Sequence, residues 1–240
     1  MIGLDRPLRP AWIYESLKMV EVGEKPSVYN RPFEDIAKEL VGKEGKKKAR
    51  TIIFRTFIYS LQEGRGKVKH NMFLNLVHTR SLNYLKSLFL WKILMDYEIA
   101  RFITQKMALC VDHSGHLSTP LLSKKLVQEY GDRDVVKRSL RSFIATLVHF
   151  GMLSQVDKNN YTLLPKESVG DEQVRDFLML YATTFLKSAV VDLQNIPLEF
   201  FYFFEPVDLI SVAQEFNGKD WEYVREVERN MLILKAVGHG

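Results

Sequence analysis

At 240 residues, with 46% apolar and 26% charged side chains, the chain has material for a sizeable core in one large domain or two small ones. A single cysteine, Cys110, excludes an internal disulfide framework, and no apolar run approaches the roughly 18 residues needed to cross a bilayer. The net charge of +5 is unevenly spread. Residues 1–170 hold 28 Lys/Arg and 17 Asp/Glu, a net of +11, whereas Asp171–Gly240 hold 6 and 12, a net of −6. A basic body with an acidic C-terminal part suggests different partners for the two parts, or pairing between them. With no signal-peptide pattern, the expected location is cytoplasmic.

In chain order, a short helix is expected from about Pro10 to Val20, then a loop, then a helix opened by Pro32 and carrying Phe33, Ile36, Ala37, Leu40 and Val41. Gly42 and Gly45 break it. Residues 43–69 contain nine Lys/Arg and two Glu. Within them Ala49, Ile52, Ile53, Phe57 and Leu61 make an apolar helix face, with Lys46, Lys47, Lys48, Arg50 and Arg55 mostly on other sides. A basic amphipathic helix suits phosphate, a membrane surface, an acidic partner or plain solvent. Gly64-Arg65-Gly66 reads as a simple turn, because it lacks the length and Lys-Ser/Thr ending of a phosphate-binding loop.

From His70 to about Val111 the pattern reads as two or more helices. Met72, Phe73, Leu76 and Val77 form one stripe. Leu82 to Ile103 is apolar nearly all round, interrupted by Lys86, Lys92, Asp96, Glu98 and Arg101, and reads as a central core helix. Its aromatics have packing spacings and suit a core better than a base-stacking platform.

Ser118 to Leu164 reads as a winged helix-turn-helix. Ser118 and Pro120 open a short helix with Leu121, Leu122, Leu126 and Val127, and Gly131 ends it. Asp132 or Asp134 is positioned to cap a longer helix whose stripe is Val136, Leu140, Phe143, Ile144 and Leu147. Gly151 stops that helix. Met152–Val156 and Tyr161–Leu164 follow, joined by Asp157-Lys158-Asn159-Asn160, a credible hairpin turn. The N-terminal half of the long helix is the part that enters a major groove in this motif, and it carries Arg133, Lys137, Arg138 and Arg141. Arginine bonds guanine or phosphate bidentately and lysine acts as a point charge. Lys158 and Asn159, at the hairpin tip, are placed for flanking contacts. Winged helices also serve as protein-interaction modules, so a solvated or protein-facing surface is the alternative.

After the wing, a helix is expected from Val174 to Leu193, followed by the aromatic segment PLEFFYFF docking on the body and a helix opened by Pro206 and ended by Gly218. Trp221 to Lys235 fits a helix or a strand. No internal repeat or low-complexity segment is present.

Catalytic patterns are sparse. Cys110, His113 and His116 are possible zinc ligands, but they lack a fourth ligand and paired spacing and read more simply as a turn. Cys110 ends an apolar stretch, where a buried, inert thiol is usual. Neither a nucleophile elbow, an HExxH motif nor a dinucleotide fingerprint occurs. The acidic pairs Asp171-Glu172 and Glu226/Glu228 suit solvated faces. The expectation is therefore a non-enzymatic protein without metal or cofactor, with no small-molecule substrate evident.

Four segments, GKKKARTIIFRTFIYSL, SLNYLKSLFLWKILMDYEIARFITQKM, HFGMLSQVDKNNYTLLP and PLEFFYFFEPVDLISVAQEF, together resemble the BrxA family in pattern and order over nearly the whole chain. BrxA proteins are accessory components of bacterial and archaeal BREX phage-exclusion systems. The resemblance implies a small, mostly helical protein that binds double-stranded DNA within a defence complex, and it assigns no catalytic residue.

The expected fold is mainly α: an N-terminal helical bundle (1–110), a central winged helix-turn-helix (111–166) and acidic C-terminal helices (167–240) packed on the body. The expected function is double-stranded DNA binding through Arg133, Lys137, Arg138, Arg141, Lys158 and Asn159, with added phosphate contacts from Lys46, Lys47, Lys48, Arg50 and Arg55 and weak sequence preference. The alternatives are a protein-interaction scaffold and a transcriptional regulator, the latter expecting a dimer on a palindromic operator.

Overall fold

A computed structural model describes residues 3–59 and 66–235. Leu61, Gly64 and Arg65, named above in the apolar face and the turn, lie outside the described residues. The chain divides between Pro165 and Lys166 into two compact units. The chain is mainly helical, and each unit carries one three-stranded antiparallel sheet.

In the first unit, α1 (Pro10–Met19) starts at a proline, whose missing N–H costs nothing in a first turn. It buries Trp12, Ile13 and Leu17. A 3-10 turn (Pro26–Tyr29) leads into α2 (Asn30–Ile36). The basic helix α3 (Lys43–Ile53) continues as a π-helical turn (Phe54–Ile58). That turn buries Phe57, which meets Phe73 of α4 (Met72–Leu76) at 5.4 Å and Phe89 at 5.3 Å between ring centroids.

The centre is α5 (Leu82–Asp96), capped by Ser81, whose Oγ accepts the N–H of Tyr84 at 3.3 Å. Leu85, Leu88, Phe89, Leu90, Trp91, Ile93 and Leu94 are fully buried. Each such side chain contributes about 1.5–3 kcal/mol relative to exposure. The single core helix expected across Leu82 to Ile103 is two helices. Tyr97 is extended (φ −114°, ψ 104°) and separates α5 from α6 (Glu98–Met107). Arg101 stabilises the break by donating from Nη1 to the carbonyls of Leu94 and Met95 at 2.7 and 2.8 Å, filling acceptors that the end of α5 leaves open.

Next come β1 (His116–Ser118), α7 (Thr119–Tyr130), α8 (Asp134–His149), β2 (Leu153–Gln155) and β3 (Asn160–Leu163). The sheet order is β1-β3-β2, with Leu117 opposite Tyr161 and Ser154 opposite Thr162. Strand β1 carries no sequence signal of its own, being three residues long and holding a histidine and a serine. Neither Asp132 nor Asp134 is the cap of α8: Arg133 occupies that position, and its side chain makes no cap hydrogen bond.

The second unit departs from the expected C-terminal helices by carrying a sheet, for which the sequence left room only at Trp221 to Lys235. Helix α9 (Asp171–Leu180) ends in a π-helical turn (Tyr181–Leu186), well short of Leu193. Lys187 then turns the chain in the left-handed region (φ 52°), and β4 (Val190–Asp192) follows. The segment PLEFFYFF forms a 3-10 turn (Leu198–Phe201) that packs on α9 of the same unit. Phe177 meets Phe200 at 5.8 Å and Phe201 at 5.1 Å, and Tyr181 meets Phe200 at 5.6 Å. Helix α10 (Leu209–Glu215) starts beyond Pro206, because Asp208 caps it by accepting the N–H groups of Ile210 and Ser211 at 3.0 and 3.1 Å.

Trp221 to Leu234 is a hairpin, β5 (Trp221–Glu226) and β6 (Arg229–Leu234), closed by the pair Glu226 and Arg229. Its β-branched and aromatic residues favour strand. The sheet order is β4-β6-β5. Trp221 anchors the hairpin by donating from Nε1 to the Ala213 carbonyl at 2.8 Å.

Candidate nucleic-acid interface

Helix α8 presents three distinct faces. The expected stripe of Val136, Leu140, Phe143, Ile144 and Leu147 is buried. A second, polar stripe of Ser139, Ser142 and Thr146 is also buried. The N-terminal segment covers part of it: the Leu8 N–H donates to Thr146 Oγ1 at 3.0 Å. Gly3 lies so close that a Cβ there would overlap Ser139 Oγ and Cβ. Ser139 and Thr146 satisfy their hydroxyls on the carbonyls of Val135 and Ser142, at 2.7 and 2.8 Å. Small hydroxyl residues at positions 139, 142 and 146 were the sequence signal for this close approach.

The third face is exposed and holds Asp134, Arg138 and Arg141, spaced four and three residues apart. Arg138 is exposed, and among the described residues it makes no hydrogen bond or ion pair. Arg141, also exposed, donates from Nε to the Lys137 carbonyl at 3.4 Å, a weak contact that leaves most of its guanidinium available. Arg133 donates from Nε to the Tyr130 carbonyl at 3.0 Å and stays exposed. Lys137 differs, because its ammonium sits 2.5 Å from Asp132 Oδ1 and is partly neutralised within the protein.

Gly131, at φ 80°, makes the turn that brings α7 into α8, a conformation costly for residues with a Cβ. The hairpin tip is tied to the start of α7: the Asn159 carbonyl accepts from the Thr119 N–H at 3.0 Å and from its Oγ1 at 2.8 Å. Asp157 closes the tip, its carboxylate accepting the N–H groups of Asn159 and Asn160 at 2.7 and 2.9 Å. Those bonds hold its pKa below the ordinary carboxylate range. Lys158 and Asn159 are exposed there. The tip therefore stands beside the α7 N-terminus as a shaped projection.

The α3 cations divide. Lys47 and Lys48 are exposed. Lys46 donates to the Glu34 carbonyl at 3.1 Å, and the Arg50 guanidinium lies 5.6 Å from the centre of the Phe54 ring. Arg55 does not join a phosphate-facing surface as expected. It is half-buried, donates from Nη2 to Tyr97 Oη at 3.2 Å and has its Nε buried without a partner. It supports the break between α5 and α6.

Cys110 is buried, and burial pushes its thiol pKa up. Asp112 accepts the N–H groups of Ser114 and His116 at 2.8 and 3.0 Å, which makes the Cys110–His116 stretch a tight turn. Among the described residues no group of three or more His, Cys, Asp or Glu could hold a metal ion, and no helix is long and apolar enough to cross a membrane. Comparison with family models, with curated proteins and with solved structures found no match for this chain.

Proposed function

We propose that residues 98–163 form a winged helix and that the protein is a non-enzymatic, cytoplasmic binder of double-stranded DNA, with α8 as the groove-reading helix. The observation that carries this reading is the α8 surface. Arg138 and Arg141 stand exposed on one face, opposite the buried stripe, with Arg133 at the helix start. The order α6, β1, α7, α8, β2, β3, with β3 central in its sheet, supports it. So does the position of Lys158 on a tip tied to the start of α7. In such docking the second helix enters the major groove and the tip touches flanking backbone. Lys47 and Lys48 would add phosphate contacts from a different element. The resemblance of the four sequence segments to BrxA extends the proposal to an accessory role in a BREX phage-exclusion complex.

Fluorescence anisotropy with a random-sequence duplex at low salt tests it. Arg138→Glu/Arg141→Glu is expected to weaken binding at least tenfold with the melting temperature unchanged. Lys47→Glu/Lys48→Glu is expected to weaken it less. No binding by the wild-type protein would overturn the proposal. Protein partners recovered after nuclease treatment, without any duplex binding, would favour the scaffold alternative.

A further inference from the structure

Two carboxylates flank the start of α8 in different circumstances. Asp132 precedes the helix and takes Lys137. Asp134 is the first helical residue, exposed, and on the face of Arg138 and Arg141. It caps nothing, and among the described residues it makes no ion pair with Arg138 although the two are four residues apart. A carboxylate on a face used only for phosphates would repel the backbone it meets. Against base edges the same group discriminates. In the major groove guanine shows two acceptors, thymine shows an acceptor and a methyl, and adenine sets an acceptor beside its amino group, whereas cytosine shows an amino donor that carboxylates accept from.

Resting on the DNA-binding reading above, we propose that Asp134 is a specificity-determining residue that accepts a hydrogen bond from cytosine N4 while Arg138 engages guanine O6 and N7. One helical turn is 5.4 Å and base pairs stack about 3.4 Å apart. The two read positions therefore lie one or two base pairs from each other. The weak preference expected of a phosphate-binding surface holds for the other cations, and Asp134 adds selectivity at one position.

The test is selection of the full chain on a randomised duplex pool, with anisotropy on a fixed random duplex alongside. Wild type is expected to enrich a cytosine within two base pairs of a guanine by about fivefold or more, the scale of a specific base contact. Asp134→Asn is expected to move that one position towards adenine, because Asn bonds adenine N6 and N7. Asp134→Ala is expected to retain duplex binding and to lose preference at that position alone. Duplex binding without enrichment, or the same preference in Asp134→Ala, would overturn the inference and leave the DNA-binding proposal standing. Absence of duplex binding overturns both.

Discussion

Gly3 holds the N-terminal segment against α8 because nothing larger fits over Ser139. Gly3→Ala is expected to cost about 1–3 kcal/mol, the usual penalty for overpacking, read as a lower denaturant midpoint. An unchanged midpoint would contradict the close approach. On the proposed DNA-binding face, the ion pair with Asp132 should make Lys137 a weaker contributor than Arg138. Arg138→Ala should therefore weaken duplex binding more than Lys137→Ala, and Asp132→Ala should strengthen it, all read by anisotropy. His149, at the end of α8, supplies a pH signature. Partial burial lowers its pKa, the nearby Arg9 guanidinium lowers it further, and Glu39 opposes this. The folded state then binds that proton more weakly than the unfolded chain, whose value is about 6.5. Its contribution to stability is present above that pH and is lost as pH falls through the window below it. An NMR titration should place the His149 midpoint below 6.5, and Arg9→Ala should raise it; a midpoint above 6.5 would contradict the assignment.

Among the elements, α5 carries the core and also its most exacting contact. Lys92 Nζ lies 2.6 and 2.7 Å from the two oxygens of Asp96, both residues nearly buried. Burial pushes the Lys92 pKa down and the Asp96 pKa up, and each charge opposes its partner's shift. Lys92→Met leaves a buried carboxylate alone and is expected to cost about 3–5 kcal/mol in urea unfolding. Lys92→Met/Asp96→Leu should recover most of that loss, and failure to recover would contradict the pairing. Elements with a strong period were legible in the sequence: the α8 stripe, the buried centre of α5 and the β2–β3 hairpin with its Asp/Asn turn. Others lacked their usual punctuation. The β5–β6 hairpin turns at Val227-Glu228 without Gly or Asn, and the π-helical turn after α9 ends at Lys187, where a left-handed conformation normally calls for glycine. In the candidate site, the exposed Arg138 and Arg141 followed from spacing alone. The engagement of Lys137 with Asp132 and of Arg55 with Tyr97 depends on where side chains lie in three dimensions, which periodicity does not encode.

For the molecule as a whole, charge and architecture change at nearly the same point. The basic excess lies in the first 170 residues, and the compact units divide after Pro165. Every cation proposed to meet DNA belongs to the first unit. If binding is electrostatic and runs through α8, as proposed, the affinity for a random duplex across a salt series will show it. Five cations, Arg133, Lys137, Arg138, Arg141 and Lys158, give a log–log slope of about −4.5 at about 0.9 per phosphate, and Lys47 and Lys48 would steepen it to about −6. The expected result is a wild-type slope in that range, flattened by about 2 in Arg138→Ala/Arg141→Ala. A flat line, or no binding at low salt, would contradict the account.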